Sequence, residues 1–188
     1  MTLISSSRMY NVNAQVEQNW ADLFARISAS AKIDLTPLQH APPTPIDDLW
    51  SREDMGLVLM CGWPFDRAEP QPTPLASYVP SDPHAEGRPV YWSDLVTRVD
   101  AEFQTLEDTF GHRMAWTVTG SQSGYNAPRR LLLDHVEQRG QPLFAETVGP
   151  VISPMGAIES VLSNTADVAP VDGFFQQPPG PQSQHAVL

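Results

Sequence analysis

The chain has 188 residues, 41% of them hydrophobic, a composition typical of a globular protein with one large domain or two small lobes. Its formal net charge of −11, with no Lys/Arg cluster, argues against binding to nucleic acid or to anionic membranes. A small anion is still a possible ligand, because a local nest of backbone N–H groups can bind one in an acidic protein. The single cysteine excludes an internal disulfide and a thiolate zinc site.

The first part of the chain alternates predicted strands and helices. These are a strand at 2–7, a helix at 13–30, a strand at 33–38, a helix at 46–50 and a strand at 56–61. Asn11 or Asn13 is the expected N-cap of the first helix. This β-α-β-α-β order predicts a parallel sheet covered by helices. Cys61 ends an apolar run, so we expect a buried core thiol.

The second part contains a Pro-rich loop at 66–74 and a second set of α/β elements. The predicted elements are strands at 75–79 and 90–99, a helical turn at 105–110, a strand at 113–118, helices at 124–139 and 154–164, and a strand at 166–171. From Gln176 onward the sequence has no periodicity, which predicts disorder. We expect ligands in a cleft between two such blocks, at the carboxyl ends of strands.

The segment from Trp116 to Asn126 carries the strongest local pattern: a strand, a small polar turn at Ser121–Gly124, and the start of a helix. The first turn of a helix leaves N–H groups without partners, and the helix dipole adds partial positive charge there. Serine hydroxyls donate further hydrogen bonds, and Gly124 allows close approach, so the turn predicts an anion site. The alternative, that Ser121 or Ser123 serves only as an N-cap, stays open on these grounds.

Several motifs occur in an order that resembles a known family. They are Val90–Arg98 with Thr105–Gly111 (TLEDTFG), then Ser121-Gln122-Ser123-Gly124-Tyr125, and then Ala166–Asp172 (ADVAPVD). This order resembles the solute-binding proteins of ABC importers, in the branch that takes phosphate, phosphite or phosphonate. The resemblance covers roughly residues 2–175.

The resemblance implies a two-lobed α/β fold of the type II periplasmic-binding-protein class, with mixed sheets flanked by helices. It places lobe 1 at 1–92, lobe 2 at 93–173 after a crossover strand, and a disordered or aberrant tail at 174–188. The family's chain crosses back to complete the first lobe. Here the sequence ends first, so we expect a fold that is incomplete at the C-terminus, with reduced stability and weak binding.

The resemblance also implies the ligand-binding residues. Ser121, Gln122 and Ser123 would hold the anion's oxygens, and Asp172 would hold an amine or a protonated oxygen of the ligand, unless it is only a turn residue. The other members of the predicted site are Tyr10, Trp63, Tyr91, Ser93, Gly124, Tyr125 and Ser153. Ser153 stands where the family often has a histidine, which disfavours an aminoalkylphosphonate. Trp63 packs equally well in a core, and Asp94 fits a hinge or a core edge.

No catalytic constellation, cofactor motif or metal motif is recognisable, and the five histidines are scattered. The predicted function is therefore capture of a small oxyanion for an ABC permease, without chemistry. The alternatives are an enzyme on the same scaffold, of the menaquinone- or thiamin-precursor type, and a non-functional truncated fragment. The family is periplasmic, but the N-terminus lacks a recognisable signal peptide, which predicts a cytoplasmic protein as encoded. No apolar run predicts membrane insertion.

Overall fold

The computed structural model describes residues 2–176 and 185–187. The chain forms two compact units, Met1–Met60 and Cys61–Leu188, which are treated separately below. Among the described residues, no helix is both long and apolar enough to cross a membrane. The predicted lobe boundaries at 1–92 and 93–173 remain a prediction.

The first unit is built on three parallel strands, as the β-α-β-α-β order predicted. These are β1 (Leu3–Ser6), β2 (Leu35–Pro37) and β3 (Met55–Val58), in the order β2-β1-β3. The connecting helices are α1 (Ala14–Ala31) and α2 (Ile46–Trp50). Parallel neighbours need crossover connections, and the two helices provide them.

Local sequence accounts for both ends of α1. The Asn13 side chain accepts a hydrogen bond from the Val16 backbone N–H at 2.9 Å, which confirms Asn13 as the N-cap. Lys32 adopts a left-handed conformation with φ 55°, and its N–H bonds the Ser28 carbonyl. Between these ends, helical spacing places Phe24 in the buried part of the unit at 6% exposure.

The second unit is a mixed sheet of five described strands in the order β6-β5-β7-β4-β8. The strands are β4 (Ser93–Arg98), β5 (Arg113–Ala115), β6 (Glu146–Val148), β7 (Val168–Asp172) and β8 (His185–Val187). Strand β5 is parallel to β6 and β7, whereas β4 is antiparallel to β7 and β8. The helices are α3 (Gly62–Arg67), α4 (Ala127–Arg139) and α5 (Pro154–Leu162).

Apolar side chains cover both faces of this sheet. Because successive side chains of a strand point to opposite faces, Leu95 and Val96 enter different core clusters. Ala157 and Val161 of α5 pack in the cluster of Val96, and Leu132 of α4 packs in the cluster of Leu95. Helix α4 connects β5 to β6, and α5 connects β6 to β7, so these strands run parallel and their carboxyl ends emerge at the same edge of the sheet.

Some predicted boundaries were wrong. Residues 75–79 form no strand: Leu75 and Val79 are 69% and 52% exposed. The strand predicted at 56–61 ends at Val58, and helix α3 occupies the next segment, including the start of the predicted 66–74 loop. The predicted 105–110 turn is a 3-10 helix at Glu107–Thr109.

The C-terminal segment also differs from the structureless tail that the sequence predicted. Gly173–Gln176 form a 3-10 helix, and His185–Val187 pair with β4 through backbone hydrogen bonds. Residues 177–184 and 188 of that predicted tail lie outside the described residues.

Candidate functional site

The candidate site lies in the second unit, at the carboxyl ends of two neighbouring parallel strands. The chain leaves β5 through Trp116–Gly120 and enters the turn that begins at Ser121, while β7 ends at Asp172. The turn packs against β7 and against α3. Ligands of α/β sheets bind at this edge, because the loops and helix starts converge there.

One π-helical turn, Gln122–Asn126, opens the helix that continues as α4. The Asn126 N–H donates to the Ser121 carbonyl at 3.1 Å. The Asn126 side-chain amide donates to the carbonyls of Thr119 and Ser121, at 3.0 and 2.9 Å, and so holds the turn in place. Such π turns are frequent at functional sites, and this one presents the positive end of the helix dipole at its start.

Ser121 and Ser153 have the same local role. The Ser121 hydroxyl oxygen accepts the Gly124 N–H at 3.0 Å, and the Ser153 hydroxyl oxygen accepts the Gly156 N–H at 3.1 Å. Ser121 is therefore an N-cap, as the alternative interpretation of the turn proposed, and Ser153 is the N-cap of α5. Capping uses an oxygen lone pair and leaves the hydroxyl proton to donate, so an N-cap serine remains able to bind an anion.

Gly124 has a packing reason to be glycine. A Cβ at this position would overlap Thr117 Oγ1 and approach Thr117 Cγ2 to 2.6 Å. Thr117 is 3% exposed, and its hydroxyl has no hydrogen-bond partner among the residues that the structure describes. The absence of a side chain at Gly124 thus lets the turn approach the segment that follows β5, while a ligand contact at Gly124 stays a prediction.

Asp172 and Ser93 are opposite each other on neighbouring antiparallel strands. Asp172 is only 3% exposed, and one of its carboxylate oxygens accepts the Phe174 N–H at 2.9 Å. The turn-like bond that the sequence suggested for Asp172 is therefore present. A buried carboxylate at the end of β7 also gives this edge of the sheet a group that accepts hydrogen bonds.

Cys61 lies between α3 and the turn Ser121–Gly124, which is called the serine turn below. The thiol is 7% exposed, as expected for a buried cysteine, and the Gln122 backbone N–H donates a hydrogen bond to it. Burial raises the pKa of Cys61 to about 12, and the Asp172 charge acts in the same direction, while the Gln122 N–H opposes the shift. The thiol is therefore neutral at physiological pH.

Tyr91 belongs to the same cluster. Its hydroxyl is buried and has no hydrogen-bond partner among the described residues. Burial raises the Tyr91 pKa, Cys61 and Asp172 raise it further, and the backbone amide of Gly62 acts against them. The Gly62 N–H acts on the hydroxyl oxygen, so it is the hydroxyl proton that has no acceptor among the described residues and is available to a ligand oxygen.

The predicted aromatic residues have protein neighbours. Tyr125 packs against Trp116 with ring centroids 5.3 Å apart, and the Arg129 guanidinium lies 4.9 Å from the Tyr125 ring. Trp63, in α3, lies under the Arg67 guanidinium at 4.2 Å. Both aromatic residues are on elements that flank the serine turn, and their role toward a ligand stays a prediction.

Tyr10 and Asp94 have other surroundings. Tyr10 lies in the first unit, is 5% exposed and stacks on Trp20 at 6.4 Å. Asp94 accepts a hydrogen bond from the Trp92 indole N–H at 3.0 Å, and burial raises its pKa.

The second unit thus brings together Tyr91, Asp172, Gln122 and, beyond the predicted set, Cys61. Sequence analysis expected Cys61 only as a buried core thiol, although its place at the end of a predicted strand is the kind of position at which α/β proteins bind ligands.

The opposite end of the sheet has a shallow depression of about 480 Å³. It is lined by Arg98, Asp100, Ala101, Glu102, Phe103, His112, Asn164 and Asp167. None of the predicted site residues is in this lining, and the depression lies at the amino ends of β5 and β7, away from the serine turn. Among the described residues, no group of three or more His, Cys, Asp or Glu side chains could hold a metal ion.

Comparison with known proteins identifies relatives of the chain. Residues 10–180 match the family model described as "ABC transporter, phosphonate, periplasmic substrate-binding protein". A search of curated proteins found no match.

Solved structures share the fold. A binding protein component of an ABC phosphonate transporter from Pseudomonas aeruginosa has a TM-score of 0.67 and 16% identity, over 92% of this chain and 56% of that one. PhnD1 from Prochlorococcus marinus, in complex with methylphosphonate, has a TM-score of 0.66 and 17% identity, over 93% of this chain and 64% of that one. The predicted type II periplasmic-binding-protein fold is confirmed, and the chain spans less than two thirds of these relatives' lengths.

Proposed function

We propose that this chain, which belongs to the phosphonate family of ABC-transporter periplasmic substrate-binding proteins, captures a small oxyanion at the serine turn. The candidate ligands are phosphate, phosphite and phosphonate. The chain would bind and release its ligand without chemistry and deliver it to an ABC permease. The proposed compartment is the periplasm, where the family operates.

The observation that carries this proposal is the helix start at Ser121–Asn126. Its capping serine retains a hydroxyl proton, Ser123 is 5% exposed in the same turn, and the dipole of the following helix favours an anion. The unpartnered Tyr91 hydroxyl adds a donor in the neighbouring cluster. These groups are neutral donors, which explains how a chain of net charge −11 could bind an anion.

Asp172 restricts the form of the ligand. A carboxylate that is 3% exposed repels a fully ionised anion and attracts a hydrogen-bond donor. We therefore expect the bound ligand to present a protonated oxygen or an amine to Asp172. Ser153 stands where the family often has a histidine, and this difference disfavours phosphonates that carry an aminoalkyl group. A protonated oxygen is therefore the favoured donor to Asp172.

Calorimetric titration of the full chain with phosphate, phosphite and methylphosphonate tests the proposal. We expect at least one of the three to bind, and Ser123→Ala to weaken it by about 10- to 100-fold, since a hydrogen bond to a charged group contributes about 1.5–3 kcal/mol. Ser163→Ala is the matched control. Ser163 is the C-cap of α5, at the other end of that helix from Ser153. Its affinity should equal that of the unchanged chain.

A folded chain that binds none of the three anions would exclude the proposed function. Equal losses in Ser123→Ala and Ser163→Ala would show that binding responds to general stability and would remove the serine turn as the site.

A further inference from the structure

We infer that the first unit has an anion site of its own, in which the Arg8 guanidinium binds the carboxylate of a small organic acid beyond the carboxyl end of β1. The site shares no residue with the serine turn, so it does not depend on the proposed function. Arg8 is also outside the set of ligand-binding residues that the sequence predicted.

Arg8 follows β1, the central strand of the first sheet, at its carboxyl end. It begins the 3-10 turn Arg8–Tyr10, and its backbone N–H donates to Ser6 Oγ at 3.4 Å. The Tyr10 N–H donates to the Ser7 carbonyl at 2.8 Å and closes the turn. Small ligands of α/β sheets bind beyond the carboxyl ends of the strands, so the arginine begins at an edge that suits a ligand.

The guanidinium is held at this edge by the loop between β2 and α2. Arg8 Nη1 donates to the Thr44 carbonyl oxygen at 2.5 Å. His40 Nε2 lies 2.8 Å from the next carbonyl oxygen, that of Pro45, and donates to it because a carbonyl only accepts. Among the described residues, the bond to Thr44 is the only hydrogen bond of the guanidinium. Its Nε–Nη2 edge is therefore fixed in place and still free to donate.

The charge of Arg8 is unbalanced, unlike that of the other half-buried arginines. Arg98 and Arg113 are half-buried as well, and each forms an ion pair with an aspartate, at 2.5 and 2.8 Å. Arg8 has no carboxylate within ion-pair distance in the part of the chain that the structure describes. Burial lowers the Arg8 pKa, because partial removal from water disfavours the charged guanidinium. An anion from outside would supply the missing counter-charge.

The shape and charge of the free edge favour a carboxylate. The Nε–H and one Nη2–H of a guanidinium are parallel donors, and they match the two oxygens of a carboxylate. Arg8 supplies one positive charge, which a single carboxylate neutralises. A doubly charged phosphate would leave excess negative charge in a chain whose net charge is already −11.

Side-chain NMR of the full chain with 15N-labelled arginine tests the site, with acetate as the probe. We expect the Arg8 Nε–H resonance to shift and to saturate with a dissociation constant of roughly 1–10 mM, since one bidentate contact provides the attraction. Chloride at the same ionic strength should leave the resonance unchanged, and phosphate should bind at least about 5-fold more weakly than acetate. Arg26 is the internal control, because it is exposed on α1. Its resonance should respond equally to acetate and to chloride.

Two variants separate the charge of Arg8 from its paired donors, with the Thr44 backbone N–H resonance as the reporter. Arg8→Lys keeps the charge but loses the planar pair of donors, so we expect acetate to bind about 5- to 10-fold more weakly. Arg8→Gln removes the charge as well and should abolish saturable binding. Arg26→Gln is the matched control and should keep the affinity of the unchanged chain.

Several results would overturn the carboxylate site. An Arg8 resonance that does not move with acetate, or that moves equally with chloride, would show that the guanidinium only holds the Thr44 loop. Phosphate binding as tightly as acetate would exclude the assigned ligand class. These measurements use the unchanged chain, so they decide the matter even if an Arg8 variant fails to fold. Binding of methylphosphonate in the same sample would leave the serine turn unaffected by such a failure.

Discussion

Gly124→Ala tests why the serine turn contains a glycine. Sequence analysis assigned Gly124 to close approach of a ligand, and the structure shows a second reason, the contact with Thr117. An added Cβ would overlap Thr117 Oγ1 and lie 2.6 Å from Thr117 Cγ2 and 2.9 Å from Thr117 Cβ. These atoms belong to a residue that is 3% exposed, so they have little room to move.

The expected loss follows from two opposed effects. Overpacking a well-packed core destabilises by about 1–3 kcal/mol. All three contacts of the added Cβ are shorter than 3.0 Å, so the cost here lies in the upper part of that range, about 2–3 kcal/mol. Replacing glycine by alanine in a helical turn stabilises by up to about 1 kcal/mol. The net loss in free energy of unfolding is therefore about 1–2 kcal/mol, which for a chain of this size lowers Tm by roughly 2–8 °C.

A double-mutant cycle with Thr117→Ala isolates the contact. Thr117→Ala removes the two γ atoms that the new Cβ would meet, and it also removes a buried hydroxyl without a partner, so alone it should change stability little. In the double variant we expect at least half of the Gly124→Ala loss to be recovered, a coupling of about 1 kcal/mol. Gly62→Ala is the matched control, because a Cβ there meets nothing within 4 Å.

Thermal and urea unfolding, together with ligand titration, measure the outcome. If Gly124→Ala leaves Tm unchanged and only weakens anion binding, the packing explanation is refuted and the ligand-approach interpretation is correct. If both Gly124→Ala and Gly62→Ala lower Tm equally, the effect does not come from the Thr117 contact.

Two further predictions concern stability. Ser153→Ala removes the N-cap of α5 and should lower the free energy of unfolding by about 1 kcal/mol in a denaturant titration; an unchanged midpoint would contradict the capping role. Asp167 accepts hydrogen bonds from the Arg113 guanidinium and backbone N–H, which hold its pKa below the usual value. Its stabilisation is therefore present above about pH 4 and lost as pH falls through the lowered folded pKa. Asp167→Asn should cost about 1–2 kcal/mol at pH 7 and almost nothing near pH 2, and equal losses at both pH values would refute this.

Local patterns predicted the helices of the first unit well. Helix α1 was recognisable from its apolar spacing and from Asn13, because both features act within a few residues. The predicted strand at 75–79 was wrong, because a short local pattern shows only that a strand could form. Whether it forms depends on a sheet edge that pairs with it, and Leu75, which is 69% exposed, pairs with no strand in the part of the chain that the structure describes.

The candidate site was only partly predictable for a similar reason. The serine turn was visible because its strand, turn and helix follow one another in sequence. The thiol beside it was not, because the apolar run ending at Cys61 resembles the end of a strand, and α3 begins directly after it. Pro64 does not prevent this helix, because proline is tolerated in the first turn. The bond between Cys61 and the turn joins segments about 60 residues apart, which periodicity cannot show.

The source of positive potential at the site leads to a last prediction. The groups that the turn itself offers to an anion are uncharged N–H and O–H donors at the start of a helix, so we expect the short-range attraction to come mainly from these dipoles. Dipoles act over about one helical turn, whereas the net charge of −11 repels an approaching anion over longer distances. Salt screens the long-range repulsion more than the short-range attraction. Raising the ionic strength from about 0.01 M to about 0.15 M should therefore increase the association rate in stopped-flow measurements. A tenfold decrease would instead indicate that lysine or arginine charges drive binding.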